Sequence, residues 1–428
     1  MANLALLGGN KVRNKEFAPQ QDFGEEEKCL VMEVIDSKVL SGFLASPGEK
    51  FMGGEKVRTL EDLFKQYYRV KHALAVNSAT AGLHAAVAAI NLNPGDEIIV
   101  TPYTMCASAT AVVMHNAIPV FADIDEHTFN IDPKAIKECI TPQTRAIIAV
   151  HLFGCPAPMD EIMRIAREHN LKVIEDAAQA PASTYKGRHI GTIGDMGVFS
   201  FNQNKTISTG EGGIVITNDD ELAKRVSLVR NHGEVVVEQY PVQTIAGIIG
   251  YNYRMTELEA AVGIAQFKKL DKLTSHRIRL AEYLTKQLQQ FRPVITTPLV
   301  EGHSKHVYFV YPMKFNAAQA GISRNKFAEA VRAEGLPLSA GYVRPIYWEP
   351  MYQQLLAYGD SGFPFRGPHM NKDIFYPKGL APVCERMHME ELLTTPICRY
   401  PLTQEDIDDF VAGIRKVLNN KKEVLAEK

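Results

Sequence analysis

Short apolar runs alternate with amphipathic stretches between about His72 and Thr217. The apolar runs predict five buried strands: His72–Val76, Glu97–Val100, Pro119–Ala122, Ala146–His151 and Lys172–Glu175. The stretches between them show helical spacing of apolar residues: Thr80–Ile90, Cys106–His115, Pro133–Cys139 and Met159–Glu168. Strands that alternate with helices at this pitch predict an α/β fold, in which helices cover both faces of a mostly parallel sheet. Ligands of such sheets bind at the carboxyl ends of the strands.

The pattern changes after Met255. The stretch up to about Phe291 predicts one long helix, and it is followed by a strand-like stretch, His306–Met313, and then a mixed pattern. Because 428 residues exceed what one hydrophobic core usually serves, we place a domain boundary inside the helix. Residues 1–270 then form a large domain with an N-terminal arm, and residues 271–428 form a smaller C-terminal α+β domain. The segment Tyr358–Val383 predicts a long loop that lines a site or an interface.

Charge and cysteine usage exclude several classes of function. The 47 basic and 49 acidic side chains give a net charge of −2, which leaves no basic excess for a nucleic-acid backbone. The apolar N-terminal stretch has no basic region before it, so we expect neither a signal peptide nor a membrane span. The six cysteines form no Cys-x-x-Cys pair, and no His-Glu-x-x-His pattern is present. We therefore expect a cytoplasmic protein with reduced thiols and no metal.

Three stretches close in sequence carry the candidate chemistry. An apolar strand ends in Glu175 and Asp176. A second apolar stretch delivers Ser200 and Lys205, and a glycine-rich turn follows at Thr209–Gly213. Pyridoxal phosphate needs an amine to attach to, an anion against its ring nitrogen and small polar donors around its phosphate. Taken singly, Lys205 is explained as a solvated surface residue, and Glu175 and Asp176 are explained as caps of the next helix. The combination of these features with the glycine-rich turn favours a cofactor site.

Many motifs from Leu4 to Val417 resemble those of the DegT–StrS family of sugar aminotransferases, which have the aspartate-aminotransferase fold (fold type I). The similar stretches are Asn77–Ala86, Pro119–Asp125, Val150–Gly154, Val173–Ala180, Gly194–Phe201 with Lys205, Gly210–Gly213, Arg230–Gly233 and Gly250–Met255. So many motifs in one order are specific for the family, and much less specific for the substrate.

The resemblance implies bound pyridoxal phosphate and a role for each matching residue. Lys205 matches the lysine that holds the cofactor as a Schiff base, and Asp176 matches the partner of the ring nitrogen. The remaining matches are Gln179 beside the cofactor's 3-hydroxyl, and Ser200, Ala79 and Thr80 at its phosphate. Ala79 and Thr80 open a helix directly after a strand, where backbone N–H groups and the helix dipole attract an anion. Without the resemblance, Thr80 is equally well explained as an N-cap.

Two further positions concern the neighbouring subunit and the face of the ring. Asn252 matches an asparagine that reaches the phosphate of the neighbouring subunit, which implies a homodimer with shared active sites; by sequence alone it is a turn residue. Met105 falls where many relatives place an aromatic ring over the cofactor. A thioether packs on an aromatic face for roughly 0.3–1.5 kcal/mol, so we expect Met105 to cover the ring, with a core position as the alternative. The register directs Tyr103 elsewhere.

The resemblance implies an aminotransferase that moves an amino group from glutamate or glutamine to a keto-sugar, with a nucleotide-linked sugar favoured. A keto-cyclitol is the alternative, because Leu4–Val12 and Gly341–Tyr347 are similar to the inosose-aminotransferase branch. Relatives that remove a hydroxyl with pyridoxamine phosphate have histidine at the lysine position, so Lys205 argues against a sugar dehydratase. The intact cofactor set argues against a non-enzymatic regulator.

The C-terminal part offers polar groups for a hydroxyl-rich acceptor. Tyr342, Arg344 and Tyr347 are the candidates, and the Tyr358–Val383 loop is expected to close over them. A solvated strand and turn is an equally good explanation of these residues from the sequence alone.

Overall fold

The computed structural model describes residues 4–20, 22–233, 235–236, 247–300 and 302–425. Within these ranges the larger sheet has seven strands, in the order β1-β9-β8-β5-β4-β2-β3. They are β1 His72–Val76, β2 Glu97–Val100, β3 Ile118–Phe121, β4 Thr144–Val150, β5 Lys172–Asp176, β8 Met196–Ser200 and β9 Gly213–Thr217. A hairpin of β6 Thr184–Tyr185 and β7 Arg188–His189 interrupts the series. Strand β9 is antiparallel to both its neighbours, and the other paired strands of this sheet are parallel.

Helices cover both faces of this sheet. The helices up to the end of the large sheet region are α1 Glu25–Ser37, α2 Glu55–Tyr68, α3 Ala79–Ala89, α4 Ala107–Met114, α5 Pro133–Cys139, α6 Met159–Glu168, α7 Asp220–Arg230, α8 Glu257–Lys268 and α9 Leu270–Leu288. Side chains of α3, α4 and α7 pack with Ile98 and Val100 on one face, and those of α2, α6 and α8 pack with Ile99 on the other. The mostly parallel α/β sheet predicted from the sequence is therefore confirmed.

A second, four-stranded antiparallel sheet follows, in the order β10-β11-β13-β12. Its strands are β10 Ile295–Thr296, β11 Tyr311–Phe315, β12 Ser339–Ala340 and β13 Leu392–Thr395. The helices of this part are α10 Ala317–Ala320, α11 Arg324–Ala333, α12 Pro350–Gln354, α13 Pro382–Arg386, α14 Gln404–Asn419 and α15 Lys421–Leu425. Its separate core draws on residues after 280 and on the buried N-terminal Leu4. The division at residues 270 and 271 stays a prediction, and Leu273, which follows it, packs in the core of the large sheet.

Two predicted elements differ from the structure. The single long helix divides at Lys269 into α8 and α9. The strand expected from His306 begins only at Tyr311. The Arg277 guanidinium donates to the backbone carbonyls of Tyr308 and Phe309, both at 3.1 Å, and Tyr308 has a φ of 50°. A strand ladder cannot include carbonyls that bind a buried arginine, so the strand starts later.

The segment Tyr358–Val383 has no helix or strand until Pro382, as predicted. The Tyr376 hydroxyl donates to the backbone carbonyl of Pro119, and Lys372 pairs with Glu97 at 2.5 Å. These partners lie at the amino ends of β3 and β2. The Ala381 backbone N–H of the same loop lies 3.4 Å from the Tyr347 hydroxyl, and closure of the loop over a bound acceptor stays a prediction.

Candidate active site

Asp176 ends β5 at the carboxyl edge of the sheet and is 6% exposed. The Ser108 hydroxyl donates to its Oδ2 at 2.7 Å, and the Ala178 backbone N–H donates to its Oδ1 at 3.1 Å. Both carboxylate oxygens are therefore held by protein donors, which fixes the plane of the carboxylate.

The neighbouring carboxylate, Glu175, points to the opposite face because side chains alternate along a strand. It is fully buried and accepts from three backbone N–H groups between Gly191 and Gly194, and from His151 Nε2 at 3.0 Å. These bonds hold the loop that leads into β8. Glu175 therefore organises this loop, and Asp176 is the carboxylate of the candidate site.

Lys205 follows β8 in a turn closed by its own backbone N–H, which donates to Asn202 O at 2.9 Å. Its Nζ lies 4.5 Å from the centre of the Phe309 ring. Burial of the amine lowers the pKa of Lys205 to about 8, although the negative charge of Asp176 acts in the opposite direction. At pH 7 about a tenth of such an amine is the free base, against roughly one part in 3,000 for an ordinary lysine. Lys205 is thus suited to attack a carbonyl, unlike a solvated surface lysine.

The predicted phosphate contacts come together where three strands meet. Ser200 pairs with Gly213, and Gly213 pairs with Val76 at the end of β1. A side chain at position 213 would come within 2.7 Å of the backbone nitrogen of Ala79. Glycine therefore allows β9 to approach the start of α3, and this approach places Ser200 next to that helix terminus.

The start of α3 offers free backbone donors to an anion. Ser78 is the N-cap, since its side chain accepts from Ala81 N at 3.0 Å, so the N-cap explanation of Thr80 is wrong. Ala79 and Thr80 are the first two helical residues, whose N–H groups have no acceptor within a helix. They are suited to bind a phosphate.

Gln179 and Met105 differ in their exposure. Gln179 is 4% exposed, and its Oε1 accepts from Phe153 N at 2.9 Å, which leaves the amide N–H groups as its donors. Met105 is 57% exposed just before α4, so its alternative explanation as a core residue is wrong. Tyr103 is fully buried, and its hydroxyl accepts from Tyr342 N at 3.0 Å. It points away from the exposed edge, as expected.

Asn252 is exposed and lies next to the α3 terminus. Its backbone carbonyl accepts from Asn77 Nδ2 at 3.4 Å, and its side-chain Oδ1 accepts from Arg254 Nε at 2.8 Å. This second bond leaves Nδ2 as the donating end of the amide. A contact between Asn252 and a neighbouring subunit stays a prediction.

Of the three residues predicted to bind the acceptor, Tyr342 lies close to this site. The Tyr342 ring lies 5.0 Å from that of Phe153, and burial together with the charge of Asp176 raises the pKa of Tyr342 to about 12. Tyr347 is fully buried and donates to Glu385, so its expected role in acceptor recognition is wrong. Arg344 is exposed.

Three residues of the site did not emerge from the sequence. Ser108 binds Asp176, and the Phe309 ring contacts Lys205. Gln20 Nε2 donates to the backbone carbonyl of Lys205 at 2.8 Å. The position of Ser108 in the first turn after Met105 was an available signal. The other two contacts join distant parts of the chain, for which no local pattern exists.

Residues 43–372 match the model of the DegT/DnrJ/EryC1/StrS aminotransferase family. The chain belongs to this family. It is therefore a pyridoxal-phosphate-dependent aminotransferase of fold type I, and the resemblance found in its motifs is confirmed. Its amine, its carboxylate and its helix terminus fit the three chemical requirements of that cofactor.

Known relatives of this aminotransferase include proteins named for different acceptors. The GDP-perosamine synthase of Caulobacter vibrioides is 37% identical over 79% of this chain and 86% of its own length. A putative L-glutamine:3-amino-2,3-dideoxy-scyllo-inosose aminotransferase of Micromonospora echinospora is 31% identical over 97% of both chains. The crystal structure of DesI with its TDP-sugar product superposes with a TM-score of 0.80 at 27% identity, covering 99% of this chain and 98% of DesI.

Proposed function

We propose that this aminotransferase moves an amino group from glutamate or glutamine to a nucleotide-linked keto-sugar. The observation that carries the proposal is the arrangement of Lys205, Asp176 and the Tyr342 ring around one edge of the sheet, in a chain 37% identical to a GDP-perosamine synthase. DesI, whose structure contains a TDP-sugar product, shares this fold over nearly the whole chain.

The chain's own residues have separable tasks in this reaction. The bound cofactor supplies an electron sink and stores the amino group between the two half-reactions. Lys205 Nζ first holds the cofactor and then carries the proton taken from the donor's α-carbon, for which its free base is needed. Asp176 would hold a proton on the ring nitrogen. The N–H groups of Ala79 and Thr80, with the Ser200 hydroxyl, would hold the phosphate, and Met105 would lie against the ring.

A keto-cyclitol is the second candidate acceptor. The putative scyllo-inosose aminotransferase matches 97% of this chain, whereas the GDP-perosamine synthase matches 79%. The buried Leu4 is part of the second core, and the Leu4–Val12 stretch is one of the two that resemble the inosose-aminotransferase branch.

We expect cyclic, hydroxyl-rich ketones to be better acceptors than pyruvate or oxaloacetate. A site whose buried polar groups bind substrate hydroxyls rejects an analogue that lacks them, and we expect a discrimination of at least about 100-fold. Steady-state kcat/KM values for nucleotide-linked keto-sugars, a keto-cyclitol and 2-oxo acids, each with glutamate and with glutamine, measure it. A higher kcat/KM for the 2-oxo acids contradicts the proposed acceptor but not the cofactor assignment.

We also propose a homodimer with shared active sites. Several large apolar side chains on and after α1 are exposed in the single chain: Met32, Ile35, Val39, Leu40 and Leu44. Asn231 links this surface to the predicted cross-subunit residue, because its Nδ2 donates to Leu44 O and its backbone pairs with Asn252. An exposed apolar patch of this kind typically marks a protein interface.

Mixing two inactive variants tests this dimer. An Asn252→Asp chain places a negative charge near the phosphate, and a Lys205→Ala chain lacks the amine. If the two residues of one site come from different chains, a mixed dimer has one intact site, and an equal mixture should recover about a quarter of wild-type activity. No recovery after subunit exchange has been demonstrated by mass spectrometry would mean that each site is built within one chain.

We propose the cytoplasm as its location. Cys29, Cys106, Cys139, Cys384 and Cys398 are free thiols, which fits a reducing compartment. None of the helices in the described part of the chain is long and apolar enough to cross a bilayer.

A further inference from the structure

Ser108 is the side chain that touches the candidate ring-nitrogen partner and has no role in the function proposed above. It lies in the first turn of α4, is fully buried, and its Oγ is 2.7 Å from Asp176 Oδ2. Its other neighbour is the backbone carbonyl of Met105, at 3.4 Å. A hydroxyl has one proton, and a carboxylate at the shorter distance is the stronger acceptor. The proton therefore belongs to the bond with Asp176.

This bond limits how the carboxylate can turn. The terminal torsion of an aspartate side chain has broad, roughly two-fold wells, so the side chain itself sets the carboxylate plane only weakly. Ala178 N holds Oδ1 at the longer distance of 3.1 Å, and Ser108 holds Oδ2. Without the Ser108 hydroxyl, the Ala178 N–H group would be left to hold this nearly buried carboxylate, and the carboxylate lone pairs would no longer face one fixed direction.

We propose that Ser108 is a positioning residue, which orients the Asp176 carboxylate toward the ring nitrogen of the cofactor. The inference rests on the proposed role of Asp176. On this proposal Ser108 acts through Asp176, the carboxylate to which it donates. Removal of the Ser108 hydroxyl should therefore lower turnover only while the Asp176 carboxylate is present.

A double-mutant cycle tests that dependence. Loss of a hydrogen bond to a charged group should lower kcat about tenfold in Ser108→Ala, with little change in KM for either substrate. In an Asp176→Asn background the same substitution should change kcat less than about twofold. Ser108→Thr keeps the hydroxyl and should restore most of the turnover. Ser227→Ala, which removes a hydroxyl that is 5% exposed and bonded to its own helix at Lys224 O, is the control and should leave kcat unchanged.

Two measurements that do not use turnover accompany the cycle. Titration of the cofactor-free protein with pyridoxal phosphate should show weaker binding for Ser108→Ala. The pH midpoint of the visible absorbance of the bound cofactor should rise. With Asp176 poorly oriented, the ring nitrogen holds its positive charge less firmly, so this charge opposes protonation of the Lys205–cofactor linkage less strongly. A purely structural role would instead lower the melting temperature without moving this midpoint.

The outcomes separate this inference from the proposed function. If Asp176→Asn retains turnover, the assignment of Asp176 itself fails. If Asp176→Asn loses turnover while Ser108→Ala keeps both its kcat and its absorbance midpoint, only the positioning role is overturned. An equal loss from Ser108→Ala in both backgrounds also overturns it, since the effect would then not pass through Asp176.

Discussion

Replacing Lys205 by alanine is expected to lower the rate of amino transfer by more than about 1,000-fold, because one residue supplies both the covalent attachment and the proton carrier. The buried amine has a pKa of about 8 and lies 4.5 Å from the centre of the Phe309 ring. We also expect borohydride to fix the cofactor on the peptide that contains Lys205 in the wild-type protein. Steady-state kinetics and peptide mass spectrometry measure the two results.

The surface lysine at position 186 provides the matched control. Lys186 pairs with the exposed Asp160 at 2.8 Å on the β6–β7 hairpin. Surface ion pairs contribute little stability, so Lys186→Ala should retain wild-type turnover and labelling. Recovery of the label on any other lysine would show that the attachment site has been assigned wrongly.

Asp176→Asn is expected to fold and to turn over roughly 1,000-fold more slowly than the wild type. A carboxylate about 4 Å from a protonated ring nitrogen stabilises it by roughly 4 kcal/mol at an effective dielectric near 20. The neutral amide loses this interaction, and each 1.36 kcal/mol of lost transition-state stabilisation is a factor of ten. The measurement is kcat at saturating donor and acceptor, with cofactor occupancy checked by absorbance.

Asp160→Asn is the control for this substitution, because it makes the same chemical change in an exposed ion pair. It should leave kcat unchanged. Near-normal turnover of Asp176→Asn would instead mean that another group faces the ring nitrogen. Glu175 is a poor substitute, since its oxygens already accept from three backbone N–H groups and His151.

The sequence predicted five of the seven strands of the large sheet to within one or two residues at their ends. In strand β2, Ile98 and Val100 pack on one face of the sheet and Ile99 packs on the other. Because helices cover both faces, these three successive residues are all apolar. The candidate phosphate contacts Ala79 and Thr80 could also be predicted from the sequence, because they open a helix shortly after a strand. Local patterns of this kind need no knowledge of distant contacts.

Features that depend on distant contacts were not predictable. The strand near His306 is shortened because Arg277, on another helix, binds its carbonyls. Tyr347 was a plausible acceptor contact until its partner Glu385 was known. The choice between Glu175 and Asp176 also required the structure, since adjacent residues of a strand differ only in the face they occupy. The motif resemblance indicated Asp176, and its role at the ring nitrogen stays a prediction.

The pairing of β1, β9 and β8 has a consequence for the order of folding. The predicted phosphate end of the site forms only when Gly213 has paired with both Val76 and Ser200. Closing a chain segment as long as that from residue 76 to residue 213 is a slow, non-local event. A nascent chain must therefore emerge well past Gly213 before it can retain the cofactor. Cofactor absorbance during refolding should thus report the completion of the central sheet rather than its beginning.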